Sequence, residues 1–298
     1  MAVTIRPGRP GDVEAAVAVW QVANTARRGG VPVPAEHEQR VRGYLAKHDA
    51  FLFVAEAGDQ LVGMAVGFQG CEDDGVGPPI PGLCHISMVF VRPDRWRQGA
   101  GRMLMRHLLL EGRMRRYSRF QLWTHADNQR AQRLYEALGF GRSGREKDDD
   151  LGERIVHYIL PEVDPRLTDA LAPVLADIVR STDAMFEVRA DQWSDHPDQV
   201  TAMVWQPDGS GTGISVMAEQ TDAARVVSLA DQMQEIVIEQ LWGRGDSATW
   251  PECPDHPGGH PLKAAELDVF GPSWACPATG GPHFAVGSVG VYVGVSDH

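Results

Sequence analysis

The sequence predicts a mixed α/β domain over residues 1–160, followed by a smaller α+β domain over residues 161–298. Three observations carry that expectation. The chain is 298 residues long, more than one hydrophobic core usually serves. Its charge is divided, with 22 basic against 19 acidic residues in 1–160 but 6 against 21 in 161–298, so the balance turns near Pro161. The apolar pattern of the first part switches between strand and helix periods, which is how α/β domains read.

The elements follow in order. Val3–Ile5 is a short strand, closed by the turn-rich RPGRPGD, and Asp12 can cap a helix with Val13, Ala16, Val17 and Trp20 on one face. After RRGGVPVP, a second helix runs from Ala35 to about Lys47. AFLFVAE and QLVGMAVGF read as strands of a hairpin turning at Gly58-Asp59. QGCEDDGVGPPIPG holds too much Gly and Pro for regular structure, and HISMVFVRP is the next strand, stopped by Pro93. A helix from about Gly101 to Arg116, the strand FQLWTH, a helix after Asn128 and the strand ERIVHYIL complete the domain. In the second part, a helix over about Leu167–Arg180 precedes three strands, MFEVRA, QVTAMVWQ and GTGISVMAE, and then the long amphipathic helix TDAARVVSLADQMQEIVIEQLWG.

Composition narrows the function. Hydrophobic residues at 43% and charged residues at 23% describe a globular chain. No apolar run reaches the length of a membrane span, no secretory pattern opens the chain, and four cysteines (Cys71, Cys84, Cys253, Cys276) make no disulfide scaffold. A cytoplasmic location without membrane attachment is the expectation. The acidic second part repels phosphates and argues against nucleic acid, and a homodimer is left open.

WRQGAGRML places Gly99 and Gly101 between a strand and a helix. Glycines there allow close backbone approach, and the unpaired N–H groups of a helix start suit a pyrophosphate. The dinucleotide-binding version wants a third Gly at residue 104, which is Leu. Thirty residues on, NQRAQRLYEALGF has a capping Asn128, the stripe Ala131, Leu134, Tyr135 and Leu138, and Gly139 as a left-handed cap.

The strand VFVRPD, the loop RQGAGR and NQRAQRLYEALGF together resemble the GNAT superfamily of N-acetyltransferases, over roughly residues 3–160. The resemblance implies a mixed sheet whose two central strands splay apart, with acetyl-CoA in the gap. It places the backbone of Val89, Phe90 and Val91 along the pantetheine, the amides of Arg97, Gln98, Gly99, Ala100, Gly101 and Arg102 on the pyrophosphate, and Asn128 beside the cofactor. Tyr135 matches the tyrosine that protonates the departing CoA thiolate, a role open to a neutral phenol; a core aromatic is the alternative for the same residue. Trp96 departs from the family, which commonly has Arg or Gln there, and Arg95 and Arg97 flank it.

The implied reaction is direct attack of a primary amine, from a small molecule or a protein, on acetyl-CoA. It needs a base or a water relay. CHISMVFV and FQLWTH hold no carboxylate, so His85, His125 or water remain for that role. Glu72, Asp73 and Asp74 can attract a cationic acceptor or simply solvate a loop. A non-catalytic acyl-CoA sensor and a protein-interaction module are the rival readings. In the second domain, Cys253, His256, His260 and Cys276, with His283 as a spare, have spacing suited to a structural Zn²⁺ on exposed Pro-rich knuckles.

Overall fold

The computed structural model describes residues 2–247 and 249–290. Contacts group the chain into two compact units, Met1–Gly112 with Tyr117–Glu162, and Arg113–Arg116 with Val163–His298.

The first unit is built on β1 (Thr4–Pro7), α1 (Val13–Arg27), α2 (Ala35–Leu45), β2 (Phe51–Ala57), β3 (Gln60–Cys71), β4 (Pro79–Val91), α3 (Ala100–Met114), β5 (Arg119–His125), α4 (Gln129–Ala137), β6 (Gly141–Asp148) and β7 (Arg154–Leu160). The strands form one sheet in the order β1-β2-β3-β4-β5-β7-β6. β4 and β5 pair in parallel and the other neighbours are antiparallel. One face of the sheet is covered by α1 and α2, whose Val17, Trp20 and Val41 pack on Met64, Val66, Phe68 and Met88. The other carries α3 and α4, whose Leu104, Leu108 and Tyr135, with Leu138 just past the end of α4, pack on Phe53, Ile86, Leu122 and Tyr158. Side chains alternate across strands, so neighbouring residues of β3 and β4 feed opposite cores.

Two expectations are corrected here. The segment expected to be irregular is the end of a long hairpin, with β3 reaching Cys71 and β4 starting at Pro79, which is paired to Cys71. Gln69 makes this tolerable, because its amide donates to the carbonyls of Gly70, Ile80 and Leu83 where the ladder is irregular. β6 was not expected at all. Its sequence GRSGREKD is exposed along nearly its whole length, so it has no alternation to read.

The second unit contains α5 (Pro165–Ser181), β8 (Glu187–Ala190), β9 (Gln199–Trp205), β10 (Gly211–Met217), α6 (Asp222–Gly243), β11 (Lys263–Leu267), β12 (Gly271–Ala275) and β13 (Pro282–Ala285). Two antiparallel three-stranded sheets form, β10-β9-β8 and β11-β12-β13. Asp164 caps α5 and Thr221 caps α6 through their side chains. The second sheet was not expected, since its strands are five residues or fewer and lie among Gly and Pro. Asp177 of α5 is fully buried, accepting from the Trp274 indole at 2.8 Å and from the backbone N–H groups of Gly287 and Val289 at 2.7 and 2.8 Å. No helix among the described residues is long and apolar enough to cross a membrane.

Candidate active site

The central strands of the first unit stay paired for only four residues. Leu83, Cys84, His85 and Ile86 of β4 face Arg119, Phe120, Gln121 and Leu122 of β5, and there the pairing ends. A bulge coincides with the separation, because Val66 pairs with Met88 and the next residue, Gly67, pairs with Ile86, which leaves Ser87 as the extra residue. Bulges bend and twist the strand that carries them. Beyond it, β4 runs on to Val91 with only β3 as partner. Arg92 N–H donates to Val62 O at 2.8 Å on the β3 side. Alternation therefore turns the peptide groups of Phe90 toward β3, and those of Val89 and Val91 toward the open side.

That open side lines a cleft of about 570 Å³. Val89, Phe90, Val91, Arg97, Gly99, Gly101, Arg102, Asn128 and Tyr135, drawn from three separate stretches of sequence, all border it. Gln98 and Ala100 do not. Gln98 turns back to donate to Asp94 O at 3.1 Å, and Ala100 is buried.

The loop before α3 has a backbone that few residues tolerate. Gly99 has φ +86°, with nothing within 4 Å of where a Cβ would sit, so conformation rather than crowding requires glycine. Arg97 has φ +63° and carries strain that glycine would not. At Gly101 the reason differs, since a Cβ there would lie 3.3 Å from Leu134 Cδ2 and press α3 against α4. The first turn of α3 then presents unpaired N–H groups at the positive end of its dipole.

Charge converges on the same cleft. Arg27, Arg95, Arg97, Arg102, Arg130 and Arg133 all line it. Arg27 is paired with Glu153, and Arg95 has Asp94 at 3.7 Å. Among the described residues, Arg97, Arg102, Arg130 and Arg133 have no carboxylate partner. The Arg130 guanidinium sits below its usual range, through burial first and then repulsion from Arg97 and Arg133. Unpaired cations held together are costly unless a polyanion joins them. The sequence held a signal for this, since Arg130 and Arg133 are three apart on one helix face.

Trp96 has a structural task. Its indole N–H donates to Val91 O at 2.7 Å, and the Arg130 guanidinium lies over its ring at 3.6 Å. Asn128 caps α4 as expected, accepting from Ala131 N–H at 3.2 Å. Tyr135 is buried, with Phe140 and Tyr158 rings each at 6.1 Å. Among the described residues its hydroxyl has no hydrogen-bond partner, and burial pushes the phenol above its ordinary range. It is therefore neutral and protonated at physiological pH.

A second cavity, of about 270 Å³, includes His85, Gln121, Trp123, Tyr44, Phe68 and Lys47 in its lining. The carboxylates there are already engaged. Asp74 pairs with Arg145 at 2.9 Å and Lys147 at 3.1 Å, Asp148 with Arg154 at 2.9 Å, and Asp150 with Arg40. Lys47 lies over the Phe68 ring at 4.0 Å. His85 Nδ1 is buried without a hydrogen-bond partner among the described residues, and burial lowers the imidazole to about 4, assisted by His157. His157, missed in the sequence, is also lowered to about 4 by burial and Arg145; its Nδ1 lies 2.7 Å from Ser143 Oγ and its Nε2 3.1 Å from Gln121 Oε1. His125 lines neither cavity; it lies 3.3 Å from Glu153, and burial, then Arg27, lowers it.

In the second unit, Cys253, His256, His260 and Cys276 are brought together, each offering one ligand atom within 4.8 Å of the others. The expectation of exposed knuckles is corrected, because both cysteines are fully buried. His283 Nε2 stands outside this set, 3.3 Å from Asp255 and 3.9 Å from Cys253 Sγ.

The profile of the Acetyltransferase (GNAT) family matches residues 17–140. No curated protein matches the chain. Solved structures similar to it include the ribosomal-protein-S18-alanine N-acetyltransferase of Escherichia coli, 23% identical, covering 54% of this chain and 94% of that one with a TM-score of 0.43. The ribosomal-protein-alanine N-acetyltransferase of Brucella melitensis is 20% identical over 52% of this chain and 98% of its own, with a TM-score of 0.43. PaiA N-acetyltransferase of Thermoplasma acidophilum, solved with coenzyme A, is 16% identical over 53% and 98%, with a TM-score of 0.40. The family match places a GNAT acetyltransferase domain at residues 17–140.

Proposed function

We propose that the first unit transfers an acetyl group from acetyl-CoA to a primary amine, with Tyr135 as the general acid. The observation that carries this reading is the cleft in which four unpaired arginines meet the N-terminus of α3 and the open edge of β4. A diphosphate with an extended amide-bearing arm matches all three features: anionic oxygens for the arginines and helix amides, peptide-like groups for Val89 and Val91. Bound acetyl-CoA supplies an activated acetyl thioester.

The chain's own residues divide the remaining work. Arg97, Arg102, Arg130 and Arg133 hold the phosphates, and the Val89 and Val91 peptide groups orient the arm. Tyr135 keeps its proton on Oη and can release it to a sulfur that gains negative charge. The amine must arrive neutral. His85 accepts at Nδ1 only as a weak base, its pKa near 4, so an amine that has lost its proton to water before or on binding fits the site better than one deprotonated by His85. The cavity beside His85 takes the acceptor in this reading. Three of its four carboxylates, Asp74, Asp148 and Asp150, are paired with arginines or Lys147, so a monoamine with an apolar body suits it better than a polycation.

The test is CoA release by the full-length chain from acetyl-CoA across a panel of monoamines, polyamines and peptide N-termini, with mass spectrometry of the products. Acetylated monoamines support the reading. Tight CoA binding with no acetylated product across the panel favours a non-catalytic acyl-CoA sensor, for which the carboxylate-free strands β4 and β5 speak.

A further inference from the structure

We infer that the second unit holds one Zn²⁺ in a closed tetrahedral site formed by Cys253 Sγ, His256 Nδ1, His260 Nε2 and Cys276 Sγ, and that the metal joins the 251–262 loop to the turn after β12. This does not depend on the acetyl-transfer reading.

The donor distances are those of a metal shell. Zn–S bonds of about 2.3 Å and Zn–N bonds of about 2.0–2.1 Å at tetrahedral angles put sulfur and nitrogen about 3.6 Å apart. His256 Nδ1 lies 3.4 Å from Cys253 Sγ and 3.6 Å from Cys276 Sγ, and His260 Nε2 lies 3.9 Å from Cys276 Sγ. One imidazole nitrogen facing two sulfurs cannot give a good hydrogen bond to both, whereas a shared cation satisfies all three. The tautomer of His260 is also set. Its Nδ1 lies 3.0 Å from Pro261 O, so the proton resides there and the Nε2 lone pair is free for a metal.

The scaffold delivers these donors from opposite sides. Gln234 on α6 donates to Trp250 O and Leu262 O, both at 2.7 Å, and Leu262 N–H donates to Pro251 O at 2.8 Å. The 251–262 loop is thus closed at its base, and it projects Cys253, His256 and His260. Cys276 comes from the end of β12, in a tight turn closed by Gly280 N–H on Cys276 O at 2.7 Å. Four protein donors fill the coordination sphere, so the ion is structural rather than catalytic. His283 is left as an outer partner, held by Asp255. Binding would displace a proton from each thiol, giving two thiolates and two neutral imidazoles around Zn²⁺, a shell with no net charge.

The other cluster of suitable donors, His125, Asp149 and Glu153, does not compete. Arg27 and Arg28 both pair with Glu153, and their charge opposes a cation there.

The experiment is elemental analysis and native mass spectrometry of the full-length chain produced in zinc-supplemented medium. Co²⁺ replacement, Cys276→Ser and His283→Gln accompany it. One zinc per chain, thiolate-to-cobalt charge-transfer bands with tetrahedral d–d bands, loss of the metal in Cys276→Ser and its retention in His283→Gln are expected. Should Cys276→Ser fail to fold, the stoichiometry and cobalt spectrum of the unmodified chain decide. A metal-free wild-type chain, a mass lower by two hydrogens from a Cys253–Cys276 disulfide, or a soluble Cys276→Ser chain that keeps its zinc would overturn the inference.

Discussion

The indole N–H of Trp96 donates to the carbonyl oxygen of Val91 at 2.7 Å, and this bond ties the loop before α3 to the open strand edge. The same ring supports Arg130 at 3.6 Å. Trp96→Phe keeps a ring for the guanidinium and removes the donor. A net hydrogen bond of about 0.5–1.5 kcal/mol corresponds to roughly a 2- to 10-fold rise in the Kd for CoA. Calorimetric titration reads this directly, and an unchanged Kd would show that the bond does not position the loop.

Much of this cleft was legible before the structure, and the reason is local chemistry. Gly99, Asn128 and Gly139 each answer a backbone demand that few residues meet, so they mark the loop and the two ends of α4. Tyr135 stood out because its stripe needed only a ring. What escaped the sequence is set by pairing between distant segments. The Ser87 bulge exists only relative to β3, and β6 has no buried side to print a period on its residues. His157 lies in a strand that reads simply as apolar, and only the fold places it against Trp123, with ring centroids 4.7 Å apart. Glu72, Asp73 and Asp74 read as a lure for a cationic acceptor, and only the fold shows that Asp74 is already paired with Arg145 and Lys147.

The arginine cluster makes a salt-sensitive prediction. Arg130→Ala removes one charge and the stack on Trp96, and Arg133→Ala removes one charge alone. A charge-assisted bond of about 1.5–3 kcal/mol implies a loss of CoA affinity of roughly tenfold or more for each. The dependence of Kd on salt should flatten in both variants. Retention of the wild-type salt slope would mean that these arginines do not meet the phosphates.

At Gly99 the φ of +86° predicts a cost with no clash in it. Gly99→Ala should weaken CoA binding by distorting the loop, with a penalty of about 1 kcal/mol for a left-handed alanine. Gly101→Leu should lower the melting temperature as well, because its side chain meets Leu134. Equal melting temperatures for the two variants would contradict this division.

His85 and His157 give a pH dependence of stability. Both are lowered from 6.5 to about 4 in the folded chain. The unfolded chain therefore binds more protons between those values, and stability rises with pH across that window. The contribution is complete above about pH 6.5 and is lost as pH falls toward 4. Melting curves between pH 4 and 7.5 should fall on the acid side, and His85→Gln should shallow the slope relative to wild type. Carboxylate titration acts on both proteins alike, so only the difference between them matters. Parallel curves would refute the buried neutral imidazole.

Tyr135→Phe separates the acid from the core aromatic. The ring packs against Phe140 and Tyr158, and the phenylalanine keeps both contacts. Because the hydroxyl has no partner among the described residues, its removal breaks no hydrogen bond, and stability should change little. Turnover should fall by roughly 10²-fold, the scale of losing a general acid, while the KM for acetyl-CoA stays nearly constant. If the residue serves packing alone, kcat stays at the wild-type level. Burial makes the phenol a weaker acid than usual, which means it cannot lose its proton ahead of the reaction and can surrender it only as charge builds on sulfur. The loss in kcat should therefore shrink for acyl-thioesters whose leaving thiol is more acidic, since those thiolates need less help. Measuring kcat with acetyl-CoA and with an acetyl thioester of lower thiol pKa, on wild type and Tyr135→Phe, tests that point: an equal deficit with both donors would assign the effect to geometry rather than to proton transfer.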